Sequence, residues 1–161
     1  MTKLAVYPGS FDPITNGHLD LIQRGLRIFD TIIVAVAKNP AKQSLFTVEE
    51  RLEMIRVAVG DKPRVKIDSF QGLLVDYVRS VNARIVLRGL RAVTDFEYEF
   101  QMNMMNRRLE PEIETVFLMT GLPWVFLSSS ILKEAAVHGG NIEGMVPPYV
   151  FKQLKRKFGQ E

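Results

Sequence analysis

Apolar runs and amphipathic stretches alternate along the whole chain. Leu4-Ala5-Val6-Tyr7 is an apolar run of strand length, and after it Leu19, Leu21, Ile22, Leu26, Ile28 and Phe29 recur at helical spacing. Pro8, Gly9 and Pro13 lie between them and predict a sharp turn. Thr31 to Ala37 is a β-branched run of the kind buried in a parallel sheet. Thr47-Val48-Glu49-Glu50 is a capping box and predicts a helix with Leu52, Ile55 and Val59 on its apolar face. Val65 to Ile67 predicts a third strand, followed by Ser69-Phe70-Gln71-Gly72 and a helix containing Leu73, Leu74, Tyr77 and Val78. Ala83 to Arg88 predicts a fourth strand, and Thr94-Asp95-Phe96-Glu97 a second capping box opening a long helix to about Arg108. Glu114 to Met119 predicts the fifth strand. Ser128-Ser129-Ser130 cap a helix from Ile131 to Val137, ended by Gly139-Gly140. Residues 147–158 carry a last helix with Val150, Phe151, Leu154 and Phe158 on one face.

Strands alternating with helices predict an α/β fold: one domain over residues 1–161, with a Rossmann-like, doubly wound, parallel five-stranded sheet and helices on both faces. Ligands of such sheets lie beyond the carboxyl ends of the strands. That rule gathers Ser10, Lys42, Gly72 to Leu74, Arg88 to Arg91 and Trp124 to Ser130 around one cleft.

Composition narrows the chemistry. A hydrophobic content of 47% over 161 residues is enough for a proper core. With no cysteine, disulfides, thiolate metal sites and cysteine catalysis are excluded. Two histidines, His18 and His138, are too few for a His-rich zinc site. No apolar run approaches the length of a membrane span and no secretion signal is evident, so a cytoplasmic protein without a membrane partner is expected. A net charge of +3 suits a small polyanion better than nucleic acid, since no dense basic tract with interleaved aromatics is present. Neither G-x-G-x-x-G after the first strand nor G-x-x-x-x-G-K-[ST] occurs, which argues against nicotinamide dehydrogenases and Walker-type ATPases. Without G-x-S-x-G, a serine hydrolase is also disfavoured, and His138 reads as a helix-end residue.

What remains are cations and helix N-termini. Thr15 and Asn16 are capping types that put Gly17 and His18 in a first helical turn, where free N–H groups and the helix dipole welcome an anion. Arg88 and Arg91 flank Gly89 and can fork onto phosphate oxygens. Asp95 and Glu99 share a helix face and could meet ribose hydroxyls, an amine, hydrated magnesium, or those same arginines. Lys42 stands in the loop after the second strand, where a lysine is either solvated or functional. Ser128, Ser129 and Ser130 offer an anion cradle, and Trp124 and Phe126 a stacking surface or simple packing.

Thr15-Asn16-Gly17-His18 resembles the first signature of the nucleotidyltransferase superfamily. Pro8 to His18, Phe46 to Arg51, Arg88 to Glu99 and Phe126 to Ser130 together resemble the bacterial phosphopantetheine adenylyltransferases, over nearly the whole chain. That resemblance implies adenylyl transfer from ATP to 4′-phosphopantetheine, with in-line attack on the α-phosphate and no covalent intermediate. It implies catalytic roles for His18, Lys42 and Arg88. It places ATP against Ser10, Phe11, His18, Gly89, Leu90, Arg91, Glu99, Trp124, Val125, Phe126, Leu127, Ser128, Ser129 and Ser130. The acceptor would meet Ser10, Lys42, Leu74, Arg88, Met102, Met105, Asn106 and Glu134. No residue is expected as a dedicated metal ligand; magnesium would be held mainly by the ATP phosphates. A homohexamer and feedback by coenzyme A are implied as well. Two departures stand out: Ser10 where threonine is common, and Thr120-Gly121-Leu122-Pro123 in place of a more polar loop. Two other readings remain open, a pyridine mononucleotide as acceptor and a catalytically silent nucleotide or nucleic-acid binding module.

Overall fold

The computed structural model of the chain describes residues 3–41 and 43–160, apart from the side chains of residues 93 and 94. Its elements in chain order are β1 (Leu4–Gly9), α1 (Asn16–Gly25), β2 (Thr31–Lys38), α2 (Val48–Val59), β3 (Val65–Gln71), α3 (Leu74–Ser80), β4 (Ile85–Leu90), α4 (Val93–Leu109), β5 (Glu114–Met119), a 3-10 turn (Leu122–Trp124), α5 (Ser129–Val137) and α6 (Pro148–Lys157). The strands form one sheet in the order β3-β2-β1-β4-β5, and every pairing is parallel. This is the doubly wound arrangement, with the order reversing between β1 and β4.

Side chains alternate across the sheet and build a core on each face. Tyr7, Val34, Val36 and Leu87 pack against α1, α2, α5 and α6 through Leu21, Ile22, Ile55, Leu132, Val150 and Leu154. Val6, Ile33, Ala35 and Val86 pack on the other side with Val75 and Val78 of α3. Gly89 allows α1 to close on β4, because a Cβ there would lie 2.7 Å from Leu21 Cδ1. Leu21 is buried in the core, so its side chain must shift to admit the extra methyl. Gly89→Ala should therefore lower unfolding stability by about 1–3 kcal/mol through overpacking. An unshifted urea midpoint in the variant would contradict this.

Several boundaries differ from the sequence expectation. β1 runs on through Pro8 and Gly9, paired with Ala35 and Val36, where a turn was predicted. The Pro8 carbonyl faces β4, but β1 and β4 pair only at Ala5 and Val6. The missing proline N–H therefore faces a gap, and no ladder bond is lost. β3 extends to Gln71 because its ladder with β2 continues to Lys38. β4 begins at Ile85 and runs on past Arg88 through Gly89 and Leu90, which pair with Leu118 and Met119 instead of forming a loop. α1 ends at Gly25, short of Phe29. Arg64 reaches over that end and donates to the carbonyls of Leu26, Phe29 and Asp30. α4 starts from Ala92 with no side-chain cap, ahead of the predicted box at Thr94, whose side chain lies outside the described set. The capping box at Thr47 and the Ser128 cap form as expected, and Thr15, expected only as a cap, closes a full box with His18.

Candidate active site

β1 and β4 are bonded only near their amino ends, while β1–β2 and β4–β5 continue further. The gap at the switch point opens into two chambers. The first, about 290 Å³, is walled by Phe11, Gly17 and His18 on the α1 side, by Gly89 and Arg91 on the β4 side, and by Trp124 and Leu127 to Ser130 across the top. The second, about 350 Å³, lies between the ends of β1 and β2 and helices α3 and α4, with Phe70, Leu74, Met102 and Asn106 in its wall. Pro8, Gly9, Ser10, Arg88 and Glu99 line both and form their common partition.

His18 occupies the third position of α1. Its main-chain N–H donates to Thr15 Oγ1 (3.3 Å), and its Nδ1 accepts from the Thr15 N–H (3.0 Å). This is a capping box in which imidazole replaces the usual glutamate, and it explains the spacing from Thr15 to His18. An accepting Nδ1 places the ring proton on Nε2. Phe11 packs edge-on against the ring, centroids 5.1 Å apart. Phe11 holds φ +46°, a strained value for an aromatic residue, of the kind that concentrates at functional sites. The half-buried residue lines the first chamber, where the surrounding atoms take most of the solvent from its ring. Burial, then the charges of Arg91 and Arg88, push its pKa down to about 4. The imidazole is thus a neutral donor at physiological pH.

The unfolded chain takes up that proton near pH 6.5 and the folded chain only near pH 4. The unfolded state therefore binds more protons in this window, and stability is lost as the pH falls through it. NMR of the ring nitrogens should show a neutral Nε2–H tautomer from pH 7.5 down to about 5, with bound pyrophosphate raising the pKa. A ring titrating normally near 6.5 would contradict the geometry.

The two arginines are docked in the same manner. Arg88 grips Glu99 with Nε (2.8 Å to Oε2) and Nη2 (to Oε1), while Nη1 donates to the Pro8 carbonyl at 2.9 Å across the gap between β1 and β4. Arg91 grips Asp95 with Nε (2.9 Å) and Nη2 (3.2 Å), and its Nη1 donates to the Leu127 carbonyl at 2.8 Å. Asp95 and Glu99 are one turn apart on α4, so one helix holds both guanidiniums. Of the partners open to these acids, the fold selects the arginines. Glu99 is buried, and both its oxygens are committed to Arg88. Burial opposes the Arg88 charge, and the Glu99 carboxylate more than offsets it, so the pKa rises. One N–H on each Nη remains for an incoming anion.

At α5, Ser128 Oγ accepts from the Ile131 N–H (3.1 Å) and Ser129 Oγ donates to the Pro13 carbonyl (2.8 Å). Two of the three hydroxyls are therefore structural. Ser130 is exposed, and Ser128, Ser129 and Ser130 line the first chamber at the start of α5, where a helix has free N–H groups.

The fold thus brings together Ser10, Phe11, His18, Arg88, Gly89, Arg91, Glu99, Trp124 and Leu127 to Ser130, with Leu74, Met102 and Asn106 next door. Leu90, Val125, Phe126, Met105 and Glu134 line neither chamber; Phe126, Met105 and Glu134 are exposed. Lys42 lies outside the described residues. Tyr7, whose buried phenol has a raised pKa, and Thr15 line the first chamber; Asn39, Tyr98 and Asn103 line the second. Sequence reasoning assigned none of these five to the site. Thr15 carried a signal in its three-residue spacing to His18, whereas the others depend on strand register and helix phase. Among the described residues no three His, Cys, Asp or Glu side chains cluster to hold a metal. Among the described residues no helix is long and apolar enough to cross a membrane.

Residues 6–135 match the cytidylyltransferase-like family model. The phosphopantetheine adenylyltransferase of Syntrophus aciditrophicus is 60% identical, covering 98% of this chain and 96% of the relative. The chain belongs to the phosphopantetheine adenylyltransferase family. The family members of Geotalea daltonii (60% identity, 98% of each chain) and Desulfosudis oleivorans (59%, covering 98% and 94%) match equally well. At the level of fold, the chain superposes on a solved structure from Vibrio parahaemolyticus described as a nicotinate-nucleotide adenylyltransferase. That pair has a TM-score of 0.73 at 15% identity, with 100% and 97% of the chains covered. In this member of the phosphopantetheine adenylyltransferase family, the segment from Arg88 to Glu99 forms the pair of docked arginines.

Proposed function

We propose that this enzyme transfers the adenylyl group of ATP to 4′-phosphopantetheine, giving dephospho-coenzyme A and pyrophosphate. The carrying observation is the partition of Ser10 and Arg88 shared by two chambers of different character. One offers helix N-termini and cations for a triphosphate. The other offers Leu74, Met102 and Phe70 for an aliphatic arm, with Asn103 and Asn106 to match its amides. A phosphate from each side would meet at the partition.

In this reading an oxygen of the acceptor phosphate attacks the α-phosphorus in line, the bond to the β-phosphate oxygen breaks, and pyrophosphate leaves. No side chain becomes covalently attached. His18 Nε2–H donates to an α-phosphate oxygen as charge builds there, and the spare N–H groups of Arg88 and Arg91 hold the anions together. Lys42, from the β2–α2 connection, would add its charge on the acceptor side. Magnesium would arrive with ATP, held by phosphate oxygens, since Asp95 and Glu99 are already committed to arginines.

The test is pyrophosphate release with ATP, magnesium and each acceptor in turn. Release with phosphopantetheine alone supports the proposal, and release with a pyridine mononucleotide would replace the acceptor. No release with either, beside binding that collapses steeply with salt, would leave only a binding module.

Coenzyme A carries both an arm and an adenylate, so it should compete for both chambers and act as a feedback ligand. We further propose a homo-oligomer, a hexamer by family resemblance, working in the cytoplasm. On α4, Phe96, Phe100, Met104, Met105 and Leu109 are each at least half exposed, more apolar surface than one helix normally leaves in water. Sizing chromatography with light scattering should give a mass near six chains; a monomer would refute this.

A further inference from the structure

We propose that Lys133 is a positioning residue for the transfer, acting through Asp12 to hold the nucleotide side of the cleft, at the start of α5, at a set distance from the shared wall that carries Ser10. The inference rests on the adenylyl-transfer reading above. Lys133 lines neither chamber, so any effect on chemistry must pass through its partner.

Asp12 is 4% exposed, and its carboxylate accepts three bonds from two distant parts of the chain. Leu45 N–H (2.9 Å) and Phe46 N–H (2.9 Å) come from the segment that enters α2, just after Lys42. Lys133 Nζ (2.7 Å) comes from α5, whose first turn carries Ser129 and Ser130. Asp12 itself sits two residues after Ser10 in the partition. One buried carboxylate thus joins the loop that carries Ser10 in the shared wall to the segment entering α2 and to α5 on the nucleotide side. Two further bonds brace the same loop: Arg51 Nη1 to the Ser10 carbonyl (2.8 Å) and Ser129 Oγ to the Pro13 carbonyl (2.8 Å). Burial alone would raise the Asp12 pKa; the Lys133 ammonium and the two N–H groups outweigh it and hold the carboxyl below its ordinary value. The carboxylate is therefore charged when the substrates bind.

A link of this kind matters because the reactants repel each other. In-line transfer needs the acceptor oxygen near van der Waals contact with the α-phosphorus, and a displacement of about 1 Å can cost on the order of 10²-fold in rate. Without the ammonium, Asp12 keeps its two N–H partners, and the 43–46 segment stays in place. Of the two bonds that join α5 to the loop after β1, only that of Ser129 Oγ to the Pro13 carbonyl is left, so the serine turn is held less firmly against the shared wall. Substrates would still bind singly, but they would be less well aimed.

The test uses the full-length protein. Lys133→Met keeps the aliphatic stem of a side chain that is 26% exposed, so the variant should fold. Steady-state pyrophosphate release should show kcat reduced by about 10–100-fold, with KM for ATP and for phosphopantetheine each within about threefold of wild type. Lys133→Arg, which keeps the charge, should recover most of the loss. If kcat of the methionine variant stays within about twofold of wild type while only its melting temperature falls, Lys133 is a structural brace and the proposal fails. Losses confined to one KM would overturn it too, since they would mean a single subsite was damaged. A wild-type protein that releases no pyrophosphate with phosphopantetheine would sink the adenylyl-transfer reading, and this inference with it.

Discussion

Replacing His18 with alanine should lower turnover by about 10²–10⁴-fold while changing ATP affinity far less. The ring is aimed before substrate arrives, because Nδ1 is occupied by the Thr15 N–H and Nε2–H is left for the chamber. In the proposed transfer its bond to an α-phosphate oxygen would strengthen as charge builds, so its loss should fall mainly on kcat. Alanine also removes half of the capping box, which should cost about 1 kcal/mol of stability. Glutamine separates the two effects. Its Oε1 can accept from the Thr15 N–H as in an ordinary capping box, and its amide N–H can still point into the chamber. His18→Gln should thus regain wild-type stability and part of the turnover. Single-turnover pyrophosphate release and urea unfolding of both variants check this. Unchanged turnover in His18→Ala would remove the ring from the mechanism.

Arg88→Met should be damaging twice over. It removes from the partition the cation proposed to hold the phosphates, with an expected fall in kcat/KM of about 10²–10³-fold. It also leaves the Glu99 carboxylate buried without its partner, a change that costs about 3–5 kcal/mol when a buried pair is broken from one side. The double variant Arg88→Met/Glu99→Leu replaces both charges with apolar groups and should recover most of the stability. Its activity should stay low, because the cation is still missing. Chemical denaturation and pyrophosphate release, measured on the same preparations, keep the two consequences apart. Recovery of activity in the double variant would mean that Arg88 acts only as a structural partner of Glu99.

The chain itself determined more than its element order. Strand and helix periods predicted the parallel five-stranded sheet, and the break expected after the first strand pointed to the cleft. Thr15 and His18 are three residues apart, so the cap, the tautomer and the donor follow from one helical turn. Local patterns of this kind are legible because their partners are neighbours in sequence. The status of Asp95 and Glu99 was not legible: four kinds of partner were open, and only the packing of α4 beside β4 chose the arginines. Pro8 reads as a strand breaker until the β1–β4 ladder is seen to stop at Val6. Asp12 and Arg51 lie in segments that carry the family resemblance, yet neither they nor Lys133 showed their distant partners, because the bonds of Asp12 to Leu45, Phe46 and Lys133 and of Arg51 to Ser10 span 33 to 121 residues and depend on the mutual placement of three connections. Sequence period and spacing thus set the fold and the residue types at its rim. Tertiary packing alone decided which charges neutralise one another and which remain for a ligand, since that balance depends on distances no local pattern encodes.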